Sequence, residues 1–336
     1  MTTNTLLMIK KLIHQQPLGE NESYDLFQEF INTAIIQQAA ILALLTSKGL
    51  TVTELSGALR YFLEQGTTIS YSHEVIDIVG TGGDGLNTFN ISTAASIVAA
   101  SAGALVAKHG GRAASSQSGS MDVMEKLNIP LYQTAAQIVT SLDRYRYAYL
   151  SGPYFNPLLK NLAPLRKSLG FRTILNILAP LANPLRPKAM LLGVYSKDLL
   201  RKLAEVLLMA GKRHVMIVCS EEGLDEFSVS GPTHVAELMP DSSIREYSIT
   251  PEAVGLASAP LSEVMGGTPS QNADLIEDIF TGKIKGAKRD IVLLNAAGGL
   301  VVAGKVNDLR EGVCVASEAI QSGQAYALLT HIKGGV

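Results

Sequence analysis

Up to about Gly66, apolar positions recur at helical spacing, with Phe27, Phe30, Ile31, Ala34 and Ile35 on one face. Gly49 reads as a helix stop, and Thr51 with Glu54 carries the capping-box signature of the next helix. From His73 the pattern changes to short apolar runs alternating with helical stretches. Val75–Val79, Ala104–Ala107, Tyr147–Leu150, Leu191–Tyr195, Val215–Cys219 and Ile291–Leu294 read as strands. That alternation predicts an α/β fold: a mostly parallel sheet flanked by helices, with a smaller all-α domain. The proline-punctuated stretch Pro157–Pro187 has helical pattern and no strand. The expected organisation is a small helical domain of residues 1–66, completed by about 157–187. Residues 73–156 and 188–336 then form the large α/β phosphate-binding domain, with a cleft between the two.

Gly80–Thr93, reading GTGGDGLNTFNIST, follows the first strand and precedes a helix of small residues, Ala94–Ala102. Four glycines in six residues let backbone N–H groups turn toward an anion with no Cβ in the way. Asn90, Ser92 and Thr93 add side-chain donors where the helix starts, at its electropositive end. A dinucleotide site would need an acidic residue after the next strand, but Ala104–Ala107 runs into Lys108. The Gly-Lys-Ser/Thr ending of a nucleoside triphosphate loop is also missing. A second loop, KHGGRAASSQSGS from Lys108 to Ser120, sets Lys108 and Arg112 among glycines and hydroxyls. Two such loops at the carboxyl ends of adjacent strands point to a ligand with phosphate at two places.

After Val215–Cys219 comes EEGLDEFSVSG, in which Asp225 and Glu226 are adjacent carboxylates just past a strand end. Magnesium takes few protein carboxylates and completes its octahedron with water and substrate phosphate, so this pair suits a diphosphate-bearing substrate. Glu221 and Glu222 read as solvated. His109, beside Lys108, is placed to touch a ligand; the other five histidines lack a partner at metal-ligand spacing. No nucleophile elbow is present, which points to direct displacement without a covalent enzyme intermediate.

Composition narrows the field further. A 47% hydrophobic chain of 336 residues with formal net charge −2 is that of a globular protein, not a nucleic-acid binder. Lys10 and Lys11 interrupt any leader-like run, and the long apolar stretch Ile91–Ala107 is studded with hydroxyls, against a membrane span. Two distant cysteines, Cys219 and Cys314, fit a reducing cytoplasm.

Taken together, these motifs resemble the anthranilate phosphoribosyltransferases, the tryptophan-pathway branch of the nucleoside phosphorylase-like transferases. The resemblance runs from the helical opening through both phosphate loops and the segment around Arg166. It continues through NILAPLANPLRP at Asn176, GLDEFSVSGPT at Gly223 and LLNAAGGLVVAGK at Leu293. It implies 5-phosphoribosyl 1-diphosphate as donor, two magnesium ions per subunit, and a homodimer formed through the small α domain. Donor binding is implied for Gly80, Gly83, Asp84, Thr88, Asn90, Ile91, Ser92, Thr93, Lys108, Ser116 and Ser120. Metal binding is implied for Ser92, Asp225 and Glu226, and acceptor binding for Gly80, Gly111 and Arg166, the guanidinium suiting a carboxylate. Lys108, Asp225 and Glu226 are the expected catalytic groups, stabilising the departing diphosphate.

Four changes set the chain apart from the family pattern. Gly111 stands where members carry asparagine, Asn156 where histidine is usual, Ser151-Gly152 for Phe-Ala, and Ala179 for glycine. Three of the four lie near acceptor-side segments, which leaves transfer to a different aromatic acid open. A pyrimidine-nucleoside phosphorylase-like activity is the other alternative; those enzymes carry an additional C-terminal domain and lack the Asp225–Glu226 pair.

Overall fold

The computed structural model describes residues 2–112 and 117–335. It opens with four helices: α1 (Thr3–Ile13), α2 (Glu20–Phe30), α3 (Ile35–Lys48) and α4 (Val52–Gln65). Gly49 ends α3 at φ +82°, where a side chain would be strained. The Thr51 hydroxyl accepts the Glu54 N–H, and the Glu54 carboxylate accepts the Thr51 N–H in return. The expected continuous face over Phe27–Ile35 is broken. Thr33 turns both its N–H and its hydroxyl back to the Phe30 carbonyl, α2 stops there, and Ile35 opens α3 exposed to solvent.

The chain then enters the sheet through β1 (Ile76–Gly80), α5 (Ile91–Ser101), β2 (Val106–Gly110), α6 (Ser120–Lys126), α7 (Ala135–Tyr145) and β3 (Tyr147–Ser151). Four short helices follow: α8 (Gly152–Phe155), α9 (Pro157–Asn161), α10 (Ala163–Leu169) and α11 (Ile174–Leu181). The sheet resumes with β4 (Ala189–Gly193), α12 (Leu200–Met209), β5 (His214–Ser220), β6 (Thr233–Leu238) and β7 (Ile244–Ile249). Helices α13 (Pro269–Phe280), α14 (Ala287–Val302), α15 (Leu309–Gln321) and α16 (Gln324–Lys333) complete the described chain. The strand order is β3-β2-β1-β4-β5-β6-β7, parallel through β5 and antiparallel beyond it. Because the chain steps outward from β1 to β3 and then returns beside β1 with β4, the crevice between β1 and β4 is the topological switch point.

Side chains alternate between the two faces of the sheet. Ile76, Ile78, Leu191, Met216 and Val218 join one apolar cluster with α5, α14 and α15. Val79, Met190, Leu192, Val215 and Ile217 join another with the N-terminal helices and α9–α12. Helix α4 packs on α12 and α11 within this second cluster, so along that boundary the expected cleft is filled by core. Ile291–Leu294, expected as a strand, lies inside α14. That helix is buried nearly all round against α5, α15 and the sheet, and a short apolar run cannot reveal its own period.

Candidate active site at the switch point

The Gly-rich segment leaves the carboxyl end of β1 and folds over the switch point. Gly82, Gly83, Gly85 and Asn87 all take positive φ, between +52° and +79°. Left-handed residues in such a loop can turn backbone N–H groups toward an anion, while here the Thr81, Gly82 and Leu86 N–H groups donate to Gly193, Asp225 and Asp84. Gly80 serves a different purpose. It pairs in register with Gly193 at the end of β4, and a Cβ on either glycine would overlap Asp225. Two glycines side by side thus let the turn after β5 press its backbone onto the strand ends. Thr81 ties the loop to β4 through its N–H to the Gly193 carbonyl, 3.0 Å.

Asp225 and Glu226 are both buried and face two walls of the cradle. Asp225 Oδ2 accepts the Gly82 N–H at 2.6 Å, and Glu226 Oε1 accepts the Ser92 N–H at 3.2 Å in the first turn of α5. The Asp84 carboxyl also faces Asp225. Burial, then repulsion from Asp84, pushes Asp225 up to about 7, and burial with repulsion from Asp225 raises Glu226 well above the usual range. Crowded buried carboxylates of this kind are relieved by a cation. Among the described residues no three His, Cys, Asp or Glu side chains close a protein-only cage. Two carboxylates with open positions for water and phosphate fit magnesium.

Lys108, near the end of β2, is fully buried. Its Nζ donates to the Ile78 carbonyl at 2.7 Å and to Ser92 Oγ at 3.1 Å. Burial lowers its pKa, opposed by Asp77, Glu226 and Asp225. The ammonium therefore sits beneath the cradle, between the loop and the carboxylates. Thr93 is wholly buried, its hydroxyl without a partner among the described residues. Ile91 puts its side chain in the core and its N–H on the Phe89 carbonyl. Asn90 joins the two loops, its Oδ1 accepting from Ser118 Oγ at 3.0 Å and from Asn272 Nδ2 at 2.9 Å. Thr88 is paired with Met265. On the second loop, Ser120 Oγ lies 3.1 Å from the Tyr149 hydroxyl, while Ser116 lies outside the described residues. Arg112, read as part of a cationic cluster, is drawn away into ion pairs with Asp122 and Glu125.

A second group of polar atoms has no partner among the described residues. Arg166, at the end of α10, has a buried Nε with no hydrogen bond, and desolvation lowers its pKa. Both ring nitrogens of buried His109 are likewise unpartnered, and burial followed by the nearby Lys108 charge pushes its pKa down to about 3. The strand end carrying His109 is held from below by Asp77. One Asp77 oxygen accepts the His109 N–H at 3.1 Å and the other accepts from Asn183 Nδ2 at 2.9 Å.

Comparison with known proteins shows the family of the chain. Residues 7–66 match the helical bundle domain of a glycosyl transferase family, and residues 72–326 match its a/b domain. The chain is 44% identical to the anthranilate phosphoribosyltransferase of Symbiobacterium thermophilum over 88% of this chain and 87% of that one. It is 43% identical to that of Methanosarcina acetivorans over 94% and 85% of the two chains. The chain belongs to the anthranilate phosphoribosyltransferase family. The family's solved structures superimpose closely: that of Thermus thermophilus at TM-score 0.89, 36% identity and 97% and 98% coverage of the two chains. The Saccharomyces cerevisiae enzyme, solved in complex with PRPP and Mg, gives TM-score 0.89 at 28% identity, covering 99% and 98%.

The departures from the family pattern have distinct physical settings. Gly111 has no atom of the described residues near its missing Cβ and no left-handed backbone, so nothing among those residues demands glycine. Gly152 is constrained: a Cβ there would lie 2.9 Å from His109 Nε2. Asn156 is buried and structural, donating to the Phe62 carbonyl and capping α9 through the Leu158 N–H, each at 3.0 Å. Ala179 packs half-buried against the second cluster.

Sequence reading passed over several residues that shape this candidate site. Gly193 was hidden because its partner is more than thirty residues away; its only local sign is a glycine closing an apolar strand. The segment Val264–Thr268 backs the cradle, with Phe89 N–H on the Val264 carbonyl and Gly266 N–H on the Asn87 carbonyl. Asn295, a lone amide in an apolar helix, holds Phe227. A separate cavity of about 460 Å³ opens at the opposite ends of the strands, lined by Glu74, Arg146, Lys188 and Arg213 among others. It contains none of the expected site residues.

Proposed function

We infer that the chain transfers the 5-phosphoribosyl group of 5-phosphoribosyl 1-diphosphate to the amine of anthranilate, releasing diphosphate, as a step of tryptophan biosynthesis. One observation carries the reading: a phosphate cradle and a buried carboxylate pair converge on the β1/β4 switch point of a chain belonging to this family. Gly83, Asp84, Thr88, Asn90, Ser92, Thr93, Lys108 and Ser120 are the donor-side groups, with Gly80 between donor and acceptor. Asp225, Glu226 and Ser92 hold magnesium. The two carboxylates face different walls, toward Gly82 and toward Ser92, which suits one ion beside each. Arg166 and Gly111 belong to the acceptor side.

In the reaction the acceptor nitrogen bonds to C1 of the ribose as the C1–oxygen bond to diphosphate breaks, and one amine proton is released. Magnesium, when bound, neutralises charge developing on the leaving diphosphate. The N–H groups of the left-handed loop and the buried Lys108 add positive potential at the same place. Arg166 pairs with the acceptor carboxylate and aims the amine at C1, where orientation supplies much of the rate. An aromatic amine is neutral near pH 7, so no strong base is needed before attack. His109, held neutral by burial, is a poor one at that pH.

The assembly is a homodimer through the helical bundle, a reading supported by Leu6, Ile13, Ile35 and Ile36, exposed apolar side chains on the mutually packed α1 and α3. Among the described residues no helix is long and apolar enough to cross a membrane. The free thiols of Cys219 and Cys314 support a reducing cytoplasm.

The test mixes protein, donor, magnesium and anthranilate and follows the fluorescent product together with released diphosphate. One-to-one formation of both, dependent on magnesium and absent without anthranilate, is expected. Magnesium-dependent donor binding with no transfer to anthranilate would overturn the acceptor; no donor binding at all would overturn the reaction.

A further inference from the structure

The metal-bearing turn is held by a helix that contributes nothing to the cradle itself. Asp225 and Glu226 are followed at once by Phe227, whose backbone is gripped at two points by one side chain. Asn295 Oδ1, from the middle of α14, accepts the Phe227 N–H at 2.9 Å, and Asn295 Nδ2 donates to the Phe227 carbonyl at 2.9 Å. The second Nδ2 hydrogen goes to the Ile291 carbonyl one turn back, also at 2.9 Å, which fixes the amide's orientation. Asn295 is wholly buried in an otherwise apolar stretch, so every polar atom of this contact is out of reach of water. Burying an amide in such a place is costly unless its hydrogen bonds are all made, and here they are. The same helix also receives the Phe227 ring: Gly298 leaves room for it, since a Cβ there would lie 2.8 Å from Phe227 Cε2.

The peptide whose N–H Asn295 accepts is the one joining Glu226 to Phe227. Fixing that plane fixes the direction in which Glu226 leaves the backbone, toward the Ser92 N–H, and anchors Asp225 one residue earlier against Gly80 and Gly193. We propose that Asn295 is a positioning residue for the carboxylate pair, acting through the Phe227 backbone to hold Asp225 and Glu226 where the donor's metal must bind. The proposal rests on the magnesium and donor reading given above.

Calorimetric titration of 5-phosphoribosyl 1-diphosphate at a series of magnesium concentrations separates this role from plain stability. Asn295→Asp sets carboxylate oxygen against the Phe227 and Ile291 carbonyls that Nδ2 now serves, so one of the two bonds to Phe227 is lost and the repulsion turns the group away from the other. The magnesium needed for half-maximal donor binding should rise about ten- to a hundredfold, as for other residues that orient metal ligands. kcat should fall while the KM for anthranilate stays at the wild-type value. Gly298→Ala, which crowds the Phe227 ring without touching the amide, should shift the magnesium requirement in the same direction by less. It decides the matter if Asn295→Asp does not fold by circular dichroism. A folded variant with lowered Tm but unchanged magnesium requirement would show a merely structural asparagine and overturn the proposal. Wild-type protein that binds donor equally well without magnesium would instead overturn the metal reading on which it rests.

Discussion

The two sides of the site are finished in opposite ways. On the side proposed for the donor, much of the framework is already bonded together: Gly82 to Asp225, Ser92 to Glu226, Lys108 to Ser92, and Asn90 to Ser118 and Asn272. On the side proposed for the acceptor, Arg166 Nε is buried with no partner among the described residues, as are both nitrogens of His109 two residues before Gly111, and no described atom crowds Gly111. An unsatisfied buried donor costs about 1–3 kcal/mol, so a fold keeps one where a ligand will satisfy it. On the side proposed for the donor the unrelieved costs are carboxylate repulsion and the buried hydroxyls of Thr81 and Thr93, which find no partner among the described residues; on the side proposed for the acceptor they are missing hydrogen bonds alone. A cation should settle the first, and an aromatic acid with a carboxylate the second.

The sharpest way to break that contrast is to remove the charge that defines the donor side. Replacing Asp225 with Asn and Glu226 with Gln together should leave the fold intact and cost several kcal/mol of barrier, on the order of a thousandfold in kcat/KM. Steady-state kinetics beside circular dichroism checks this, and unchanged turnover would reject the metal role. Next comes Gly193→Ala, whose new Cβ would meet backbone of Asp225 that no side-chain rotation can move. A loss of about 1–3 kcal/mol of stability is expected from such overpacking, accompanied by weaker magnesium-dependent donor binding. Thermal unfolding and calorimetry report the two effects separately.

Arg166→Ala probes the other side. Loss of a charge-assisted hydrogen bond worth about 1.5–3 kcal/mol should raise the KM for anthranilate roughly ten- to a hundredfold with donor affinity unchanged. Equal loss of donor affinity would place Arg166 at the wrong substrate. The smallest effect belongs to Gly111→Asn. Open space and ordinary backbone there predict normal folding, and one restored neutral hydrogen bond of about 0.5–1.5 kcal/mol should lower the anthranilate KM severalfold. A large loss of activity would mean that the pocket is shaped around the glycine.

The same contrast separates what could be read in the chain from what could not. The cradle was legible because its chemistry is local: glycines, donors and a helix start follow a strand within fourteen residues. Asp225 and Glu226 were legible because a strand end puts them on the same edge of the sheet. Their supports were not, because Gly193 and Asn295 act through residues distant in sequence. Strands β6 and β7 were missed where the parallel alternation gives way to an antiparallel hairpin, and Ile291–Leu294 was misread because a buried helix carries no polar face. The ion pairs of Arg112 were not legible for a related reason: its acidic partners sit on the following helix, and composition alone does not say which charges meet.

The central claim is that the donor side is complete in itself, built by this chain to hold a magnesium-bound diphosphate before any acceptor arrives. Calorimetric titration of 5-phosphoribosyl 1-diphosphate into the wild-type protein, with and without magnesium and with no anthranilate present, tests it most directly. Saturable binding that requires magnesium and needs no anthranilate is the predicted result. Binding that appears only after anthranilate is added, or that is equally tight in the presence of a chelator, would contradict it.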